Sequence, residues 1–223
     1  AARAAARAAP SRGADAALYS AAYHGATKRV KTLLHSGANV NWRHPQGGAT
    51  ALYVACEFGH IESARLLIRA GAPVDGARDD GATPLYKACQ DGGKPEVARM
   101  LIKAGAQVNR TDPSGMTPLW LACHLGRADL VEVLLEAGAD PQASGNNGAS
   151  ALHIAASLGQ MQAVEALLAS GSTEVDYPHH FARTTALHFA AEMGHAGVVQ
   201  ALCAAGADSN ARKSTGGTPL PPC

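Results

Sequence analysis

The chain has 223 residues, of which 47% are apolar, a proportion that is ordinary for folded proteins and excludes general disorder. Its 19 lysines and arginines nearly balance 18 acidic residues, which argues against a general nucleic-acid-binding protein. No run of 18 apolar residues is present, so no membrane span is expected. Aromatic side chains make up only 4%, and the core is therefore expected to be thin and built from small residues.

The N-terminal residues 1–14 are predicted to form a tail rich in alanine and arginine, without an acidic residue. Three interpretations of it stay open: an arbitrary chain boundary, a disordered tail, and the remnant of an organellar transit peptide. The first two are favoured, because a transit peptide usually carries more serine. Five cysteines without a signal-peptide pattern predict an intracellular, reducing compartment. The cytoplasm is the expected location, and organellar targeting remains an alternative.

A set of residues recurs along the chain with a spacing of 33–35 residues. An alanine follows the marking leucine by three residues in six copies, and a glycine lies four residues beyond that alanine. A second glycine lies 16 or 17 residues beyond the alanine. The marking leucines are Leu18, Leu52, Leu85, Leu119, Leu152, Leu187 and Leu220. Such a period indicates an architecture of stacked repeats.

Each repeat carries the signals of two short helices. Thr83-Pro84 and Thr117-Pro118 predict helix starts, because threonine caps a backbone N–H and proline loses nothing at the first helical position. The first helix, about two turns long, ends at the first glycine. A second helix follows, for example from Ile61 to Arg69, and a polar hairpin-like loop follows that. Helices this short are marginal alone, so the units are expected to stack into one elongated domain.

These motifs make the chain resemble the ankyrin-repeat family. They are TALYVA (50–55), TPLYKA (83–88), TPLWLA (117–122), SALHIA (150–155) and TALHFA (185–190), with tails such as LIKAGAQVN (101–109). The resemblance implies an all-α repeat solenoid of about six helix–turn–helix units with hairpin-like loops over residues 15–220. The expected units are 15–47, 48–80, 81–114, 115–147, 148–182, 183–215 and a partial seventh at 216–220, followed by a stub at 221–223.

The repeats depart from the family pattern in two respects. The histidine of the T-P-L-H motif is present only at His153 and His188, and an aromatic residue replaces it in the first four units. In the family this histidine forms hydrogen bonds within and between repeats. The loops 41–49 and 176–184 and the turn at 92–94 are also longer than the pattern requires. Insertions in a solenoid fall on loops of one face, often the binding face.

The sequence contains none of the short motifs that mark catalytic or metal-binding sites. Cys56, Cys89 and Cys123 each follow the repeat alanine, at a position that calls for a small buried side chain, and cysteine behaves as a small hydrophobe. Cys203 is likewise expected to pack in the last unit. We therefore predict no catalytic residue, no metal site, no cofactor and no enzymatic activity.

The resemblance implies a concave binding surface lined by the first helices and the loop tips. The positions just before the first glycine and on the loops are the predicted contacts of a partner. Two interpretations of the apolar ones stay open: packing beneath the next loop, or an apolar strip that receives a helix or extended segment of a partner. The predicted residues are Tyr23, Trp42, Arg43, Phe58, Asp79, Asp80, Asp91, Met116, Leu125, Leu158, Tyr177, Phe181 and Met193.

The function expected from the resemblance is that of a non-catalytic scaffold or adaptor that binds another protein or peptide. Two alternatives remain. The repeats could be the substrate-recognition part of a ubiquitin-ligase adaptor or another larger enzyme, or a structural subunit of a large assembly. No nucleic-acid partner is expected, and the identity of the partner and the oligomeric state do not follow from the sequence.

Overall fold

The computed structural model describes residues 12–90 and 94–219. Asp91, the inserted Gly92 and Gly93, and Leu220 of the seventh unit lie outside the described residues. The described part contains twelve helices: α1 (Arg12–Tyr23), α2 (Thr27–His35), α3 (Ala51–Glu57), α4 (Ile61–Arg69), α5 (Pro84–Cys89), α6 (Pro95–Lys103), α7 (Pro118–His124), α8 (Ala128–Glu136), α9 (Ala151–Ser157), α10 (Met161–Ala169), α11 (Ala186–Glu192) and α12 (Ala196–Ala204). The predicted fold class, a repeat array of six helix pairs, is confirmed.

The first helices begin at the predicted cap residues. The hydroxyl of Thr50 accepts a hydrogen bond from the backbone N–H of Tyr53 at 3.2 Å, and Thr83 and Thr117 cap α5 and α7 in the same way. At α9 the cap is reciprocal, because the backbone N–H of Ser150 also donates to Nδ1 of His153 at 3.1 Å. Each cap satisfies donors that a helix start leaves open.

One boundary differs from the sequence-based expectation. The helix α1 begins at Arg12 and has 12 residues, so it includes the last three positions of the predicted tail of residues 1–14. The alanines around Leu18 favour helix, and nothing before Asp15 stops it. As a result α1 is longer than the two turns predicted for a first helix, whereas α3 and α9 have seven residues each.

The chain divides into two compact units, Ala1–Ala106 with α1 to α6 and Gln107–Cys223 with α7 to α12. In the first unit α3 packs against α1 and α5, and α4 packs against α2 and α6. In the second unit α9 packs against α7 and α11, and α10 against α8 and α12. Each unit thus has a row of first helices and a row of second helices. The marking leucines of the six described repeats are at most 2% exposed and form the core between the rows.

The loops are hairpin-like, as predicted, and join along their tips within each unit. Arg43 and Thr50 form an isolated antiparallel bridge, and the backbone N–H of Asp79 donates to the carbonyl of Gly47 in the preceding loop at 3.1 Å. In the second unit the N–H of Asn146 donates likewise to Ser114 at 3.0 Å. Within residues 12–90 and 94–219 every helix is too short or too polar to cross a bilayer.

Candidate functional site

The exposed apolar residues that the sequence singled out occupy one structural position. Phe58, Leu125, Leu158 and Met193 are each the residue that ends a first helix, just before the left-handed glycine. Their exposed fractions are 40%, 39%, 43% and 56%. We call these four residues the apolar column. Large apolar side chains that stay open to solvent at a recurring position are typical of interaction surfaces.

In the first unit the column is extended by an aromatic neighbour. Tyr23, at the end of α1, is 43% exposed, and its ring centre lies 4.5 Å from that of Phe58 in a tilted arrangement. The ring of His60 also stacks on that of Phe58, with 6.3 Å between the ring centres. Aromatic pairs in this distance range attract each other beyond their buried area. The contact holds both rings in place while leaving much of their surface accessible.

A hydrogen bond between neighbouring repeats fixes the turn on which each column residue lies. The Nε2 atom of His60 donates to the carbonyl of Tyr23 at 3.0 Å, and His195 donates to Ser157 at 3.1 Å. The side chain of Gln160 makes the equivalent bond to His124 at 3.3 Å. The sequence analysis did not assign a role to these donors. The available signal was a polar side chain directly after the first glycine in successive units.

The predicted loop residues of the first unit are engaged with one another. The guanidinium of Arg43 donates to the carbonyl of Ala77 at 2.9 Å and pairs with the carboxylate of Asp79 at 2.8 Å. Asp80 lies 3.4 Å from the guanidinium of Arg78. Ion pairs this exposed contribute little stability, and their charged groups remain accessible to a partner. Asp91, the remaining predicted acidic contact, lies outside the described residues.

Trp42 is half-buried rather than fully open. Its ring meets the edge of Tyr19 at 5.9 Å and that of His44 at 5.8 Å, while Tyr19 and His44 lie 4.7 Å apart. These three rings form a cluster at the base of the loop 41–49. Trp42 therefore supports its loop and keeps part of its surface accessible.

The buried Tyr53 contacts a charged loop residue, Arg78, and this contact was not predicted from the sequence. The guanidinium of Arg78 is 5.8 Å from the ring centre of Tyr53, close enough for a cation–π contact. Burial raises the pKa of the Tyr53 hydroxyl to about 12, although the hydrogen bond from Arg78 acts in the opposite direction. Nearby, Glu57 of α3 and Lys87 of α5 form an ion pair at 3.3 Å. The first unit thus combines aromatic surface with fixed charges of both signs.

The predicted loop residues of the second unit differ in exposure. Phe181 is 67% exposed and its ring lies 5.0 Å from that of His180. Met116 and Tyr177 are half-buried. The ring of Tyr177 lies 6.5 Å from that of His153, so the loop 176–184 covers this histidine. Phe181 is therefore the predicted loop residue of this unit that offers the most surface to a partner.

The T-P-L-H histidines make the bonds that the resemblance implied. The Nε2 atom of His153 donates to the carbonyl of Thr184 at 3.0 Å, and that of His188 to Gly217 at 3.2 Å. Burial lowers the pKa of His153 to about 4. Trp120 replaces this histidine in its repeat, and its buried Nε1 atom has no hydrogen-bond partner among the described residues. Trp120 therefore occupies the position of the histidine without forming the hydrogen bond that His153 and His188 make to the following loop.

The cysteines behave as the repeat pattern predicted, with one exception. Cys56, Cys89 and Cys123 are at most 2% exposed, and burial raises the pKa of the Cys56 and Cys123 thiols well above the ordinary value. Cys203 is exposed on α12, so the expectation that it packs was wrong. In residues 12–90 and 94–219 no three histidine, cysteine or acidic side chains are grouped as a metal site would require.

The chain was compared with known families and with curated proteins. A family model described as ankyrin repeats (three copies) matches residues 18–112, 74–145, 94–179 and 140–213 in overlapping segments. No curated protein sequence matches the chain significantly. Together the overlapping matches cover residues 18–213, which include every residue of the apolar column.

Proposed function

Because the chain belongs to the ankyrin-repeat family, whose members are generally protein–protein interaction modules, we propose that it is a non-catalytic scaffold that binds a partner protein through the apolar column and the adjoining loop tips. The family is typically non-catalytic, and the proposed site is an exposed surface rather than an enclosed pocket. In the first unit Tyr23 and Trp42 add aromatic surface, and in the second unit Phe181 does so.

The observation that carries the proposal is the contrast between a leucine near the start of α9 and the leucine that follows its last residue. In α9, Leu152 is 2% exposed and packs in the core, whereas Leu158 at the end of the same helix is 43% exposed. Burying a leucine side chain is worth about 1.5–3 kcal/mol. An apolar side chain that is exposed at this position in four repeats can therefore contribute free energy when a partner covers it. Charged loop residues such as Arg43, Asp79 and Asp80 would then select among partners through orientation and rate of association.

The experiment is a comparison of partner retention by matched variants. The wild-type chain, the variant L125S/L158S/M193S and the control variant Q162S/Q200S, altered at exposed positions of the second helices, are immobilised at equal density. Proteins retained by wild type are identified, purified and titrated against each variant. We expect the column variant to lose at least tenfold in affinity and the control to keep it, at equal melting temperature.

An unchanged affinity of the column variant for every purified partner would rule out this surface as the binding site. If wild type retains a partner and the column variant and the control lose affinity for it equally, the contact is nonspecific.

A further inference from the structure

The second helices divide the charge of the chain by sign. In the first unit α2, α4 and α6 carry seven lysines and arginines and two glutamates, all exposed. In the second unit α8, α10 and α12 carry four exposed carboxylates and no lysine or arginine. The formal net charge of +1 for the whole chain therefore conceals two faces of opposite sign. The basic face comprises Lys28, Arg29, Lys31, Arg65, Arg69, Arg99 and Lys103, and the acidic face Asp129, Glu132, Glu136 and Glu165.

Much of this charge is not neutralised within the described part of the chain. On the basic face Arg65 pairs with Glu62 at 3.6 Å, but Lys31 and Arg69 have no ion-pair partner among the described residues. On the acidic face Asp129 pairs with Arg127, whereas Glu132 makes no such pair within the same residues. Charges concentrated in this way produce a potential that extends over about a Debye length, roughly 10 Å at 0.1 M salt.

Each face also contains a groove between two helices. The groove between α2 and α4 has a volume of about 400 Å³ and is lined by the half-buried Leu34 and Leu66 beside Lys31, His35 and Arg69. The groove between α8 and α10 has a volume of about 380 Å³ and is lined by the half-buried Leu135 and Ala166 beside Glu132 and Glu136. The two grooves match in size and in apolar lining and differ in the sign of their charges.

We propose that the basic face of one copy of this chain docks on the acidic face of a second copy. The helix α4 of one copy, with Arg65 and Arg69, enters the groove between α8 and α10 of the other copy. In the same docked arrangement, α8 of the other copy, with Glu132, lies in the groove between α2 and α4 of the first copy. Helices pack in this ridge-into-groove manner at axial distances of 8–10 Å, and both contacts pair opposite charges around apolar side chains.

Like faces repel, so the contact joins two different surfaces and is heterologous. It uses the second helices and leaves the apolar column on the first helices accessible, so it is independent of the proposed binding function. An acidic partner protein or an anionic membrane would use only the basic face. The acidic face, with its opposite charge and its groove of matching size, favours a second copy as the occupant.

The experiment measures weight-average mass by sedimentation equilibrium at protein concentrations of about 100 μM, the range in which weak contacts are populated. We expect association at about 20 mM salt that weakens at least tenfold at about 300 mM, because screening shortens the range of the charges. K31E/R69E and E132K/E165K should each be monomeric alone and should associate when mixed in equal amounts, since each retains one native face. The control R183E/R212E changes the charge equally in exposed loops and should associate like wild type.

Three outcomes would overturn the proposal: a monomeric wild type at low salt, association that survives both reversals, or variants that stay monomeric in the mixture. Binding of a monomeric wild type to anionic vesicles or to a polyglutamate peptide, abolished by K31E/R69E, would assign the basic face to that partner instead. Circular dichroism of each variant establishes that the reversals leave the fold intact.

Discussion

The Nε2 atom of His60 lies 3.0 Å from the carbonyl oxygen of Tyr23, 37 positions earlier in the chain. The bond ties the start of a second helix, α4, to the end of the first helix, α1, in the preceding repeat, and the same relationship recurs between His195 and Ser157. It orders the turn that carries the apolar column, so that a surface feature depends on contacts between repeats.

Loss of the His60 imidazole should loosen this turn. We expect His60→Ala to lower the free energy of unfolding by about 1 kcal/mol, the typical net value of a hydrogen bond, and to speed amide exchange in the turn after α1. The measurement is urea denaturation together with hydrogen exchange. His35→Ala serves as control, because the exposed His35 ring bonds only to Lys31 within its own helix. Equal losses in the two variants would contradict a role for the bond between repeats.

Gly159 is required for two separable reasons. Its φ is +66°, and an added Cβ would lie 2.6 Å from Nδ1 of His195. Gly171 has the same φ of +66° but an added Cβ there meets no atom within 4 Å. Gly171→Ala should therefore cost only the left-handed backbone penalty of about 1–2 kcal/mol, and Gly159→Ala should cost at least about 1 kcal/mol more. Thermal or urea unfolding measures both.

The double variant Gly159→Ala/His195→Ala completes this comparison. Removing the imidazole relieves the steric contact, so the two substitutions should be less than additive. Strict additivity would show that His195 does not restrict this glycine.

The buried state of His153 predicts a specific pH dependence. Burial lowers its pKa to about 4, below the ordinary value of about 6.5. Between these values the unfolded chain binds a proton that the folded chain does not, so stability falls as the pH falls from 6.5 towards 4. The lowered pKa of His153 contributes about 3 kcal/mol to the difference in unfolding free energy between neutral pH and pH 4. Urea titrations at pH 7 and pH 4.5 should show a smaller loss of unfolding free energy on acidification in His153→Gln than in wild type. Equal losses in the two proteins would contradict the prediction.

The apolar column should contribute little to folding. We expect Leu158→Ala to cost less than about 1 kcal/mol, because the side chain is 43% exposed and leaves no cavity. Leu152→Ala, in the same helix and 2% exposed, should cost about 2–5 kcal/mol. Chemical denaturation of both variants decides between the two interpretations of the column. Comparable losses would identify Leu158 as a core residue rather than a binding residue.

The cysteines should differ sharply in reactivity. In a Cys223→Ser background, a thiol reagent should label Cys203 quickly and Cys56, Cys89 and Cys123 only as the protein unfolds. Burial keeps the reagent out and raises the pKa of the Cys56 and Cys123 thiols, so the reactive thiolate is scarce at neutral pH. Mass spectrometry of timed samples measures the order. Rapid labelling of Cys123 in the native protein would contradict the buried assignment.

Several features could be predicted because they are local. The caps at Thr50, Thr83 and Thr117 follow from the hydrogen-bonding capacity of one side chain and the conformation of its own helix start. The helix from Ile61 to Arg69 follows from apolar spacing between two glycines. The start of α1 at Arg12 could not be predicted, because an alanine-rich segment carries no sharp signal at its beginning.

The candidate site was predictable in part. The positions of Phe58, Leu125, Leu158 and Met193 follow from the repeat register, and their exposure could be expected from the resemblance. The half-burial of Trp42 against Tyr19 could not, because it depends on how the loop after one helix pair folds back on the first helix. The exposure of Cys203 was missed for a related reason, since the burial of a second-helix residue depends on which side of α12 it occupies.

By itself the sequence determined the repeat period, the pairs of short helices, the buried leucines and the family. Only the tertiary structure decided which groups meet across repeats, such as Arg43 with Asp79 and His60 with Tyr23. It also showed that the buried N–H of Trp120 has no hydrogen-bond partner among the described residues, where a histidine would form a bond. The physical reason is one of range. Helix propensity and capping act over a few residues, whereas these contacts join groups 30–40 positions apart, and their distances are fixed only when the repeats stack.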